Sequence, residues 1–191
     1  MNKGIILFFV LIFISFAGCG ESSYDKHMKR SAEERQKFEQ NISDKQRELI
    51  SEFLSGEMKY AEDFNGIHGG FYCLWKQRDV DIYPHLYLID KFKTNGYAVT
   101  TNGDSLNFII ISESISHKVG KYTNGGDATK LEVMVSVIDL KKKLAYTLNR
   151  VMGADPPSTI RRRSGSNAGG VGGFFGDEDI YNFITAKVLA K

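Results

Sequence analysis

The polar and apolar positions fall into three regimes along the chain. From Ser31 to Gly56 the apolar residues Phe38, Ile42, Leu49, Ile50, Phe53 and Leu54 recur near the helical period on an otherwise charged background. Ser31-Ala32-Glu33-Glu34 fits a capping box, so the pattern predicts a helix starting at Ser31. Gly56 is the expected C-terminal stop. Ser43 with Gln46 fits a second capping box, which leaves open whether this is one helix or two. The residues before it, Gly20 to Arg30, show no apolar period and read as a polar tether.

From Gly69 to Val151 the period changes to that of strands. Phe71 to Lys76 and Leu106 to Ile111 are apolar runs. Val133, Val135 and Val137 alternate with Glu132, Met134 and Ser136, and Leu144, Tyr146 and Leu148 alternate likewise. This period of two belongs to half-buried strands. Asp139 to Lys143 joins the two sets as a hairpin. Leu86 to Phe92 reads as an interrupted strand or, entered through Tyr83-Pro84, as a short helix. Asn95-Gly96 is a strong hairpin signal, with Tyr97 to Thr101 as the returning strand. Asn102-Gly103-Asp104 and Asn124 to Asp127 mark further turns. Short sequential links favour an antiparallel sheet of about five to seven strands. Pro156-Pro157 closes the region, and residues 161–176 form a glycine-rich loop with a basic triplet. Asp177 then caps a helix whose apolar stripe is Ile180, Phe183, Ile184 and Val188. The expected fold class is α+β: an N-terminal amphipathic helix, the sheet, and a C-terminal helix in one domain over residues 31–191.

The first residues follow neither pattern. Lys3 precedes an unbroken apolar run from Ile5 to Ile14, extended by Phe16, and Ala17-Gly18 place two small residues before Cys19. This is the layout of a cleaved secretory signal, shorter than the roughly 20 apolar residues that span a bilayer. Its ending, Phe16-Ala17-Gly18-Cys19, resembles the lipobox of bacterial lipoproteins, with Phe16 in place of the usual Leu, Val or Ile. The resemblance covers about a tenth of the chain. It implies a signal peptide over 1–18, a diacylglyceryl thioether on Cys19, acylation (palmitate) of the new α-amine, and a lipidated tether over 19–30. The family's sorting rule, read at Gly20 where an Asp would signal the inner membrane, implies the outer membrane facing the periplasm.

Composition then narrows the chemistry. Cleavage leaves 173 residues, enough for one domain with a real core. Without Lys3 the 24 basic and 23 acidic side chains nearly balance, which argues against a nucleic-acid partner. With Cys19 given to lipid, Cys73 is the remaining thiol, so no internal disulfide can form. Cys73 stands between Tyr72 and Leu74 in an apolar strand and reads as a buried structural cysteine; a cysteine–histidine nucleophile with His68, His85 or His117 is the competing reading. The histidines, His27 included, lie too far apart in sequence for a metal motif, and Asp79 and Asp81 lack the continuation of a calcium loop. The glycines at 169–173 lack the Gly-Lys-Ser/Thr of a phosphate loop. No metal or cofactor is therefore expected. Arg161, Arg162 and Arg163, with Phe174 and Phe175 as apolar anchors, are the candidate contacts for an anion or an envelope protein partner. The expectation is a membrane-anchored, non-catalytic binding module; the alternatives are a small cell-envelope hydrolase or an immunity- or inhibitor-type lipoprotein.

Overall fold

The computed structural model describes residues 22–77, 81–122, 126–158, 170–171 and 176–189. The order of elements is α1 (Ser23–Asn41), α2 (Asp44–Ser55), β1 (Gly70–Gln77), β2 (Asp81–Pro84), α3 (Leu86–Thr94), β3 (Leu106–Lys121), β4 (Asp127–Asp139), β5 (Leu144–Met152), β6 (Gly170–Val171) and α4 (Asp177–Ile184), the last continued by a π-helical turn, Thr185–Leu189. The protein is α+β, with one sheet and a C-terminal helix, as the pattern predicts.

The sheet runs in the order β2-β1-β3-β4-β5. It is mixed rather than antiparallel. β1 lies parallel to β3, with Cys73 opposite Ile110, while β1–β2, β3–β4 and β4–β5 are antiparallel. The parallel pair exists because β2 and α3 intervene between β1 and β3 and carry the chain back to the starting end. β6 pairs parallel with Ala128 and Thr129 of β4, beyond the stretch that β5 occupies. Part of the glycine-rich segment expected as a loop is thus a short strand.

Helices cover both faces. On one face the ring of Phe38 in α1 stacks on Tyr72 of β1 with centroids 4.7 Å apart. On the other, Phe92 of α3 meets Phe71 of β1 edge-on at 5.3 Å and Tyr181 of α4 at 4.8 Å. Consecutive residues Tyr72, Cys73 and Leu74, and Ile109, Ile110 and Ile111, are accordingly all buried. A strand covered on both faces reads as a continuous apolar run, and these do.

The first helix begins at Ser23, not Ser31. Ser22 is the N-cap: its hydroxyl accepts from the Asp25 N–H at 3.1 Å, and the Asp25 carboxylate accepts from Ser22. Most of the stretch expected as tether is therefore helix. α1 and α2 are separate, with Ser43 capping the second and Gln46 reaching back to the Ser43 N–H at 2.9 Å. Gly56 ends α2 with φ of 79°, a conformation that glycine adopts without strain.

Leu86 to Thr94 is a helix because Leu88, Ile89 and Phe92 all face the sheet, each fully buried. That changes the meaning of Asn95-Gly96. The pair terminates α3, with Gly96 at φ 79°, rather than turning a hairpin. Tyr97 to Thr101 forms no strand; it touches the sheet through one bridge, Val99 to Phe71.

Candidate functional site

The edge of the sheet at β2 is where several elements converge. α1 lies along it. Arg35 places its guanidinium 5.3 Å from the Tyr83 ring centroid, and Arg30 forms a two-bond ion pair with Asp90 of α3 at 2.5 and 2.7 Å. Two clefts flank this crossing.

The first is a cleft of about 450 Å³ bordered by Tyr24 and Met28 of α1, Trp75 of β1, His85 and Tyr87 at the start of α3, and Asp177 at the start of α4. His85 occupies the N-cap position of α3 without using its side chain as a cap. Its main-chain N–H donates instead to the Cys73 carbonyl at 3.0 Å, which fixes it beside β1. The imidazole is 7% exposed and packs edge-on to Trp75 at 5.2 Å. Its Nε2 lies 3.8 Å from Asp177 Oδ1, too far for a hydrogen bond, and finds no other partner among the described residues. Burial holds the His85 pKa below its ordinary 6.5, and the Asp177 carboxylate opposes this only in part. The imidazole is therefore neutral at pH 7.

The second cleft, of about 560 Å³, opens between α1, α2 and the β1–β2 edge. Its walls are apolar: Phe38, Ile42, Ile50, Leu54, Leu74 and Ile82. The charges at its rim are matched. Arg35 pairs with Glu39 at 2.8 Å, and Arg47 pairs with Asp44 at 2.9 Å and donates to the Glu39 carbonyl at 3.0 Å. The helical stripe read from the sequence thus does more than cover the sheet; part of it lines an open groove.

Cys73 is fully buried, and burial pushes its thiol pKa far above the ordinary value. It is a packed thiol and not a nucleophile. The histidines weighed with it do not assemble around it. His85 meets it through main chain alone, and His117 on β3 pairs with Glu132 on β4 at 2.5 Å. Among the described residues no cluster of three or more His, Cys, Asp or Glu side chains is placed to hold a metal ion. Cys19, Arg161, Arg162, Arg163, Phe174 and Phe175 all lie outside the described residues.

The sequence pattern makes Asp177 the cap of the last helix; in the structure Gly176 is the N-cap and Asp177 the first helical residue, and the approach of His85 to it is not foreseen. His85 lies on a different element, and only the packing of α3 beside α4 brings the two together. No signal in the residues around His85 marks it. Among the described residues no helix is long and apolar enough to cross a membrane. Comparison with protein-family models, with curated proteins and with solved structures finds no match to this chain.

Proposed function

We propose that the chain is an envelope lipoprotein, anchored by lipid on Cys19, whose domain is a non-catalytic binding module. The observation that carries the binding part is the apolar groove between α1, α2 and the sheet edge. Its rim charges are already paired, so it offers neither a net charge nor a reactive group to an occupant. It suits an uncharged apolar segment of an envelope protein partner, whose side chains would replace water against Phe38, Ile50 and Leu54. The thiol that might have argued for catalysis is sealed in the core.

Two experiments test this reading. The Cys19→Ala variant should lose both palmitate labelling and retention in membranes; a variant that keeps both overturns the anchor. A photocrosslinking amino acid at Ser51, exposed at the groove, should give one discrete adduct in native membranes, and the same group at the exposed Glu62, away from the groove, should not. Equal crosslinking from both positions removes the groove from the proposal.

The hydrolase reading has one observation on its side: a neutral histidine beside a carboxylate in a cleft. Against it, the Nε2 that would act as base is shielded from solvent and faces the carboxylate rather than a hydroxyl. Hydrolysis of an activated ester that disappears in His85→Asn would favour this reading; no turnover by the unaltered protein ends it.

A further inference from the structure

We infer that the face formed by Tyr24, Met28 and Tyr87 lies directly against the bilayer that holds Cys19. The inference rests on the lipid-anchor reading and adds an orientation to it. Large apolar side chains are exposed at six described positions, and three of them border one cleft: Tyr24 at 69%, Met28 at 50% and Tyr87 at 39%. Tyr24 and Met28 are one helical turn apart on α1 and present a common stripe. An exposed cluster of this kind marks a surface that is covered in use.

The chain before α1 says what covers it. Helical structure begins at Ser23 with its cap on Ser22, three residues after Cys19. Three extended residues span at most about 11 Å. The N-cap of α1, Ser22, is thus held within about 11 Å of Cys19, and the first turn follows directly from it. A polar tether running to Arg30 would have allowed the domain to stand off from the membrane; the capping box at Ser22 removes that freedom. Tyrosine suits the position, since its ring is apolar and its hydroxyl stays hydrated at headgroup level. Of the acids beside the patch, Glu178 is paired, its carboxylate accepting from the Tyr87 hydroxyl and from Lys91, while Asp177 borders the cleft half-exposed. The cleft between these side chains then opens toward the lipid headgroups.

The thiol inventory makes the test direct. Cys19 carries lipid in this reading and Cys73 is buried, so one introduced cysteine is the sole reactive thiol. Met28→Cys and Asp104→Cys, both at exposed positions, are labelled with a nitroxide in the full lipidated protein. Asp104 stands beside the far end of α1, where the Gly103 N–H donates to the Asn41 carbonyl. Met28 lies 13 residues before Asn41, about 20 Å along the helix. In vesicles of equal parts phosphatidylethanolamine and phosphatidylglycerol, the label at position 28 should be several-fold less accessible to a water-soluble nickel chelate than the label at 104. It should also be more accessible to oxygen. Equal nickel accessibility at both positions, in protein that floats with the vesicles and carries palmitate, overturns the orientation while leaving the anchor intact. Protein that neither floats nor carries palmitate overturns the anchor, and the orientation with it.

Discussion

The two halves of β3 belong to one strand and live in different surroundings. From Leu106 to Ser112 it lies between β1 and β4 with helices over both faces, and every residue except Asn107 is buried. The β1 side still pairs Lys76 with Glu113; from Ser114 onward that partner is gone, and the strand continues as an arm paired with β4 alone. The sequence changes with the surroundings: Phe-Ile-Ile-Ile-Ser becomes Glu-Ser-Ile-Ser-His-Lys-Val-Gly-Lys. The ladder of main-chain hydrogen bonds is indifferent to this change and runs on through Lys121, interrupted by one register shift after Lys118. Pairing thus sets how long the strand is, whereas burial sets what it is made of.

The sharpest way to break this comparison is to truncate one side chain in each half. Ile110 is fully buried between Cys73 and Val137, so Ile110→Ala should destabilise the domain by about 2–5 kcal/mol. Val119 in the arm is 54% exposed, and Val119→Ala should stay within about 0.5 kcal/mol of the unaltered protein. Urea unfolding midpoints read both. Similar losses would mean that the arm is packed against something that its exposure does not suggest.

The arm contains an exception. Glu132 of β4 is 1% exposed, and the half-exposed His117 of β3 bonds it at 2.5 Å. Removing one partner of a buried charge leaves a desolvation cost behind. His117→Ala should therefore destabilise by about 1–2 kcal/mol, reduced from the fully buried case because the histidine is open to solvent. That is more than any other arm substitution should cost. A loss no greater than that of Val119→Ala would show that Glu132 is held by its other surroundings.

The buried histidine, His85, gives a graded effect instead of a fixed one. The His85 pKa is lowered in the folded state, so below about pH 6.5 the unfolded chain binds a proton that the folded domain refuses. Stability from this residue is fully present above that pH and declines as the pH falls toward the folded-state value. Thermal melts at pH 7.5 and 5.5 should show a smaller drop in His85→Asn than in the unaltered protein. An equal drop would assign the acid sensitivity to other groups.

The same contrast between inside and edge explains what could be read from the chain. The run at Leu106 to Ile111 and the alternation at Val133, Val135 and Val137 both identify their strands, but the alternation misstates the burial: Glu132 and Ser136, on the face read as open, are buried as well. Asn95-Gly96 is ambiguous because a left-handed glycine serves a hairpin and a helix end equally well, and only the burial of Leu88, Ile89 and Phe92 decides between them. The start of α1 was hidden for a related reason. Ser22 with Asp25 caps as well as Ser31 with Glu34 would, yet the residues it launches are exposed and carry no apolar period. The clefts were the least legible. They depend on α1 crossing the β2 edge and on α4 meeting α3, contacts between elements far apart in sequence.

The smallest effect separates the two capping boxes by what lies beneath them. Ser43 and Gln46 cap α2, and the Gln46 amide also donates to the Gly103 carbonyl at 2.9 Å, tying the helix to the turn that enters β3. Ser43→Ala should cost about 1 kcal/mol, because fraying there loosens a helix that buries Leu49, Ile50 and Phe53. Ser22 caps a turn whose residues are exposed, so in detergent Ser22→Ala should cost only a few tenths of a kcal/mol. Held against a bilayer, however, that turn carries Tyr24 and Met28, and a frayed α1 would lose the stripe that they form. Hydrogen exchange of residues 23–28 should then rise more in Ser22→Ala on vesicles than its small stability loss in detergent implies. An unchanged exchange rate on vesicles would show that the lipid surface, and not the cap, holds the first turn in place.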